Sequence, residues 1–575
     1  MQEGYALACQ TLIEGDVVIV VPPQEKIERR LPGAQRAAEI RLPFAYDSAR
    51  DQPLRKYYLP VAPPSLEDTT DDLSRLKRAF QLQHGMEVQD LKVDLPVLQK
   101  MAGVFRQAEW QVTAVLETDT WASPHGPPRL LDVVPGDQTG SCWGVAVDIG
   151  TTSNVVYLVD LLTGEVVDTA SDYNAQISRG EDVISRIIYA TKGDGLQELQ
   201  GLVVGTINKL LRTLAQRNGL STTDIYGMTA AGNSTMIHLF LGLCPESIRL
   251  EPYVTTVNQP LPVKAGELGI DINSQATVDC LPGVGSYVGA DVAAGVFSSG
   301  MCLDKELSLF MDIGTNGEIV LGDCDWLISC ACSAGPAFEG AGVQDGMRAT
   351  AGAIEEVWIN AQNWEPTYKV IGDERPRGIC GSGLISLLAE MFITGIIDRA
   401  GKIDLDLDTS RVREGEHGPE YVVAWAQETV TAEDIVINKV DIDNLLRAKA
   451  AVYAGFSVLA RNVGIDLSTV QRLLIAGAFG KYLNVEKAVQ IGLLPDMPKD
   501  KLKFLGNTSI LGAYMSLLSR EARQGVGEVA RRMTYLELSA ESSFHDEWMS
   551  ALFLPHTHIG KFPSVVELLR NHPAS

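Results

Sequence analysis

Val147-Asp148-Ile149-Gly150-Thr151-Thr152 and Met311-Asp312-Ile313-Gly314-Thr315-Asn316 are two copies of one short pattern in a chain of 575 residues. Each copy follows an apolar run, Val145-Ala146-Val147 or Leu309-Phe310-Met311, and each precedes another β-prone stretch. The pattern predicts a strand, a tight turn and a second strand, with a carboxylate where the first strand ends. Glycine at the turn lets backbone N–H groups and threonine hydroxyls approach an anion with no Cβ in the way. A carboxylate beside bound phosphate is repulsive unless it holds a cation, so Asp148 and Asp312 are candidate catalytic residues and Mg²⁺ ligands. Gly150, Thr151 and Thr152 on one side, and Gly314, Thr315, Asn316 and Gly317 on the other, are candidate phosphate contacts. One such turn is often only a hairpin corner; two copies far apart point to a clamp between two related lobes.

A third stretch fits the same site. Leu473-Leu474-Ile475-Ala476 runs into Gly477-Ala478-Phe479-Gly480 after a helical pattern from about Asp441 to Asn462. Gly477, Phe479 and Gly480 would let a flat base lie against the backbone. Gly232-Asn233-Ser234-Thr235 opens an apolar helix, which is an anion site and equally an ordinary N-cap. Asp291, in a run of small residues, is a candidate to face the site, and Glu339 is a candidate to position water or to cap the next element. The segment Arg179 to Arg186 reads as a polar turn entering a helix.

The order of these three motifs resembles the phosphate-1, phosphate-2 and adenosine motifs of the ASKHA superfamily, which holds acetate and sugar kinases, heat-shock chaperone ATPases and actin. More narrowly, Ser333-Ala334-Gly335-Pro336-Ala337-Phe338-Glu339-Gly340, Gly378-Ile379-Cys380-Gly381-Ser382-Gly383 and Ala230-Ala231-Gly232-Asn233-Ser234-Thr235-Met236 resemble the ATP-dependent reductive activators of corrinoid enzymes. The resemblance runs from about Trp143 almost to the C-terminus. It implies an α/β fold of duplicated ribonuclease H-like lobes with ATP and Mg²⁺ bound between them. It also implies a job, the return of inactive Co(II) to Co(I) in a corrinoid protein of a methyltransferase system. A homodimer is expected by the same analogy. Leu505 to Ala513 resembles the family's pattern after the adenosine turn and is expected to close over the base.

In this family electrons enter through an N-terminal plant-type [2Fe–2S] domain, which needs four thiolates in the spacing C-x₄-C-x₂-C plus a distant fourth. This sequence offers only Cys9, at the fourth ligand position, and Cys9 cannot hold a cluster alone. The expectation is that an upstream segment is missing; the alternative is electron delivery by a separate ferredoxin. The nine cysteines otherwise lack framework spacing, as in reduced cytosolic thiols, and Cys330-Ala331-Cys332 reads as structural.

Composition agrees with a cytoplasmic enzyme. A net charge of −25 disfavours nucleic acid and anionic membrane surfaces, and the sequence shows neither a signal peptide nor a membrane-spanning run. The expected organisation is a ferredoxin-like remnant over residues 1–25, an extended proline-rich linker over 26–64, a small α+β middle domain over 65–140 and the two-lobed domain over 141–575. Two other functions fit the same motifs. One is a small-molecule kinase of the superfamily; the other is a nucleotide-switched scaffold or chaperone for a corrinoid protein.

Overall fold

The computed structural model describes residues 40–118, 126–314, 316–372, 374–477 and 483–571. The first domain is a four-stranded sheet of β1 (Leu54–Pro60), β2 (Lys92–Val93), β3 (Gln111–Glu117) and β4 (Arg129–Pro135), ordered β1-β3-β4-β2. Helices Asp72–His84 and Leu95–Gln107 cover it, with Leu76, Phe80, Val97 and Phe105 in its core. The first of these helices begins where its charge pattern predicts. Asp71 caps it by accepting from the Ser74 N–H at 2.9 Å, and Gly85, at φ 64°, ends it in the left-handed region.

This domain begins earlier than the sequence suggests. Residues 26–64 read as a linker, yet β1 pairs with β3 along its whole length, from Leu54 opposite Glu117 to Pro60 opposite Gln111. The prolines mask it because Pro53 and Pro60 flank or end the strand, where a missing N–H interrupts no ladder. The domain is also fixed in place. Thr277 Oγ1 donates to Glu117 at 2.9 Å, Asn273 Nδ2 donates to Asp132 at 2.7 Å, and Tyr46 donates to the Leu161 carbonyl at 2.6 Å.

Two sheets of like order follow. In the first lobe β5 (Trp143–Ile149), β6 (Ser153–Asp160) and β7 (Val166–Tyr173) form an antiparallel meander. Here β8 (Ile225–Gly232) and then β10 (Thr277–Cys280) add parallel to β5, with the short β9 (Val263–Lys264) at the edge. The second lobe repeats this plan. An antiparallel meander of β11 (Ser308–Ile313), β12 (Gly317–Gly322) and β13 (Leu327–Cys332) has β20 (Arg472–Ala476) and β21 (Leu502–Gly506) parallel beyond β11, and β22 (Met533–Tyr535) beside β13. Between β13 and β20 the second lobe carries two further three-stranded sheets. They are β14 (Ala353–Ile359), β15 (Pro366–Val370) and β16 (Gly378–Ile379), then β17 (Val412–Gly415), β18 (Gly418–Ala424) and β19 (Ile435–Asn438).

Each sheet buries its outer face under one long helix, Gly195–Arg217 in the first lobe and Lys439–Asn462 in the second. The inner faces share helices. Helix Ala290–Ser298 packs Ala290, Ala293 and Ala294 with the first lobe and Val292 and Val296 with the second. Helix Thr508–Leu518, late in the chain, returns to the first lobe and crosses Ala290–Ser298 closely. A Cβ on Gly512 would lie 2.5 Å from the Ala294 carbonyl oxygen, so only glycine permits this crossing. Among the described residues no helix is long and apolar enough to cross a membrane.

Helix Arg520–Arg532 is anchored to β10 by a bidentate pair in which Arg523 donates to Asp279 at 2.6 and 3.1 Å, both side chains being almost wholly buried. Asp279→Ala removes this bidentate, buried partner and is expected to cost about 3–5 kcal/mol in urea unfolding. The double variant Asp279→Leu/Arg523→Met should recover most of the loss. A single-variant cost below about 1 kcal/mol would show that the pair does not anchor the helix.

Candidate functional site

The two strand-turn-strand units meet at a cleft of about 300 Å³ between the lobes. Its walls include Asp148, Gly150, Thr151 and Thr152 from the first turn and Asp312, Gly314 and Asn316 from the second. Asn233 and Gly477 join them. Thr315, Phe479, Gly480 and Cys9 lie outside the described residues. Gly232 and Gly317 are not on the wall. A Cβ on Gly232 would meet the Ile149 carbonyl oxygen at 2.7 Å, and one on Gly317 would meet Cys332 Sγ at 2.7 Å. These two glycines therefore serve strand packing, a role the motif alone does not distinguish from ligand approach.

Five carboxylates line the cleft, Asp148, Asp291, Asp312, Glu318 and Glu339, and the first four act on one another. Asp148 is the last residue but one of β5 and accepts from Asn507 Nδ2 and Ser509 Oγ, both at 2.7 Å. Those donors stand at the start of helix Thr508–Leu518, where Asn507 is also the cap, accepting from the Ile510 N–H at 3.1 Å. The segment expected to close over a base thus grips Asp148. Burial raises the Asp148 carboxyl above its usual range, and these two hydrogen bonds oppose the shift. Burial, then the neighbouring charge of Asp148, pushes Asp312 up to about 7. Burial and the charge of Asp312 push Asp291 up to about 7, and Glu318 is raised well above the usual range by burial and by Asp291 and Asp312. Gly477, at φ 89°, is obligatory beside them, because a Cβ there would lie 2.6 Å from Asp312 Oδ1.

The first turn is held from behind by Asn174, Arg186 and Asn233. Asn174 Nδ2 donates to the Gly150 carbonyl at 2.9 Å, and the Asn174 N–H donates to the Thr152 carbonyl at 2.9 Å. Fully buried Arg186 donates from Nη2 to the Thr151 carbonyl at 2.6 Å and from Nε to the Gly180 carbonyl at 2.8 Å. Burial lowers its pKa to about 10, still charged at neutral pH. Asn233 caps helix Ser234–Leu241 by accepting from the Met236 N–H, while its Nδ2 donates to Thr151 Oγ1 at 3.0 Å. All three turn carbonyls are thereby engaged by the protein, so their negative ends do not oppose an anion in the cleft. Across the cleft, Thr152 Oγ1 donates to Glu339 at 3.3 Å, and the Arg348 guanidinium stacks over Tyr173 at 4.3 Å.

The duplicated turns are not equivalent. Asp148 stands opposite Val155, whereas Asp312 stands opposite Glu318. Opposed residues in an antiparallel pair share a face, so Glu318 joins Asp312 in the cleft. Asn154, at the matching distance after Asp148, points to the other face and is fully buried. Glu318 was open to discovery from the sequence, since it follows the second turn directly, but only the register assigns its face.

Cys330 and Cys332 are buried, and burial pushes both thiols up. Cys332 Sγ donates to the Gly317 carbonyl.

Family models match nearly the whole of the described chain. They are the RACo linker region over residues 45–140, the RACo middle region over 143–304, and the C-terminal domain of RACo, the ASKHA domain, over 306–566. The corrinoid activation enzyme RamQ of Eubacterium limosum is 37% identical over 430 residues, covering 73% of this chain and 72% of that protein. The chain belongs to the RACo family. In the family's terms the first small domain is the linker region and the first lobe is the middle region. A second relative, the [Co(II) methylated amine-specific corrinoid protein] reductase of Methanosarcina barkeri, is 25% identical over 442 residues, covering 71% of this chain and 76% of that one. Among solved structures, a reductive activator for corrinoid, iron-sulfur protein superposes with a TM-score of 0.81 at 44% identity, covering 93% of this chain and 83% of that one.

Two outcomes follow from the site's charges. A carboxyl whose folded pKa lies near 7, above its unfolded value near 3.8, favours folding less as pH rises from about 4 through 7. Asp312→Asn should therefore raise the Tm of the ligand-free protein at pH 8, by about 2–4 °C per kcal/mol relieved in a lobe of this size, and change little at pH 4. An unchanged difference at the two pH values would contradict the crowding. Arg186→Met strands buried carbonyls and should cost on the order of 3 kcal/mol in chemical denaturation. Arg186→Lys, keeping charge but not the fork, should recover only part of that.

Proposed function

We propose that this chain is an ATP-driven reductive activator that returns the Co(II) form of a corrinoid protein to Co(I), with Mg²⁺ and the nucleotide phosphates held between the lobes. The observation that carries the reading is the convergence of both Asp-Ile-Gly turns on one cleft crowded with oxygen donors. The named activities of the family relatives support the choice of corrinoid partner. Asp148, Asp291, Asp312 and Glu318 suit a hard cation, which prefers carboxylate oxygens and would offset the burial and mutual repulsion that raise the Asp312 and Asp291 carboxyls. Mg²⁺ bound there supplies charge neutralisation beside the phosphates. Thr151, Thr152 and Asn316 would contact the phosphates, and Gly477 leaves room for the rest of the nucleotide.

The chain's own part is then to orient phosphate and exclude stray water, as phosphoryl transfer needs positioning and electrostatics rather than a covalent intermediate. Closure around nucleotide would move the shared helices Ala290–Ser298 and Thr508–Leu518, which touch both the cleft and the sheets, and so change how the protein grips its partner. The electron for the cobalt would come from a one-electron donor of the ferredoxin class, on an upstream segment or on a separate protein, since the nine cysteines of this sequence do not supply the four thiolates of a plant-type [2Fe–2S] centre.

The test is anaerobic ATP hydrolysis with and without a corrinoid protein from the same organism, poised as Co(II) or methylated. Stimulation by the Co(II) form alone is expected, with Asp148→Asn lowering turnover by at least about 100-fold. Tight nucleotide binding with no response to either cobalt state would favour a nucleotide-switched scaffold. Phosphate transfer to a small hydroxyl or carboxylate acceptor would favour a kinase.

A further inference from the structure

Polyphosphate entering this cleft meets five carboxylates, and a single divalent cation offsets only part of that charge. Arg348 adds positive charge on the wall of the second lobe. It makes no ion pair with a described acidic residue; its partner is the Tyr173 ring of the first lobe, 4.3 Å away. A guanidinium over a neutral ring is held by only about 0.5–2 kcal/mol. With phosphate the same group forms a bidentate, charge-assisted pair, so an exchange of partners is favourable once phosphate is within reach.

We propose that Arg348 is a catalytic residue of this cleft, one that leaves Tyr173 for the terminal phosphoryl group and neutralises charge there as that group passes to water. The inference rests on the nucleotide-hydrolysing reading above. In the step, a water oxygen bonds to the terminal phosphorus, and the bond from that phosphorus to the bridging oxygen breaks. The electron pair leaves on the nucleoside diphosphate, and the water proton passes to a cleft carboxylate and then to solvent.

The placement of Arg348 also links the lobes. Its ring partner, Tyr173, is the last residue of β7, and the next residue, Asn174, holds the Gly150 and Thr152 carbonyls. A few residues before Arg348, Glu339 accepts from Thr152. Departure of Arg348 from Tyr173 therefore reaches the first phosphate turn through one strand end.

The experiment measures equilibrium binding of ADP and of a non-hydrolysable ATP analogue separately from turnover, in the wild type, Arg348→Met and Arg348→Lys. The wild type should prefer the triphosphate. Arg348→Met should lose about 10-fold of that preference and at least about 100-fold in turnover, while ADP affinity stays within about 3-fold. Arg348→Lys should regain much of the preference but little of the turnover, because its point charge lacks the fork. A merely structural role would not move the triphosphate-to-diphosphate ratio. Should Arg348→Met fail to fold, Arg348→Lys decides: wild-type ratio and turnover there overturn the proposal. They overturn it equally in a folded Arg348→Met. If the wild type binds neither nucleotide, the reading of the cleft fails instead, and the two failures are distinct.

Discussion

Repulsion among Asp148, Asp291, Asp312 and Glu318 is the constraint that the rest of the structure answers. Carboxylates this close are not stable as ionised neighbours away from water unless donors or a cation face them. Part of the answer is built in: Asn507 and Ser509 donate to Asp148 from the start of a helix, where the backbone dipole also favours negative charge. Burial, with mutual repulsion added to it, still holds the Asp291 and Asp312 carboxyls high. Under the proposed function, a cation with phosphate would relieve that repulsion, and binding would act on the elements that carry the carboxylates.

Those elements are shared between the lobes. Asp291 starts a helix whose two faces pack on both sheets, and Asp148 is gripped by a helix from far later in the chain. Glycine makes this possible at Gly512, where the two helices nearly touch, and at Gly477, where any side chain would strike Asp312. The linker-region domain is tied to the first lobe by Glu117, Asp132 and Tyr46, so a movement of that lobe carries this domain with it.

The duplicated fold is symmetric in topology and asymmetric in chemistry. A difference of one residue in the hairpin register puts Val155 beside Asp148 but Glu318 beside Asp312. Because strand side chains alternate with a period of two, that single step sends Asn154 into the buried layer and Glu318 into the cleft. Arg186 and Asn174 then hold the first turn's carbonyls from behind. The result is a first turn whose carbonyls are engaged by the protein and a second turn with a second carboxylate beside it.

The sequence by itself determined the duplicated strand-turn-strand plan, the long helices and the identity of Asp148 and Asp312 as partners. Each of these rests on local signals: an apolar period, a glycine at a turn, a carboxylate at a strand end. The strand Leu54–Pro60 was hidden by its flanking prolines, and Gly232 and Gly317 looked like ligand contacts because a glycine that admits a neighbouring backbone reads the same as one that admits phosphate. Only the tertiary structure decided that Asn507 and Ser509 meet Asp148 across more than half the chain, that buried Arg186 serves the first turn, that Glu318 shares a face with Asp312 and that Arg348 rests on Tyr173. Register and long-range packing made those choices, and neither leaves a periodic trace in the residues that they bring together.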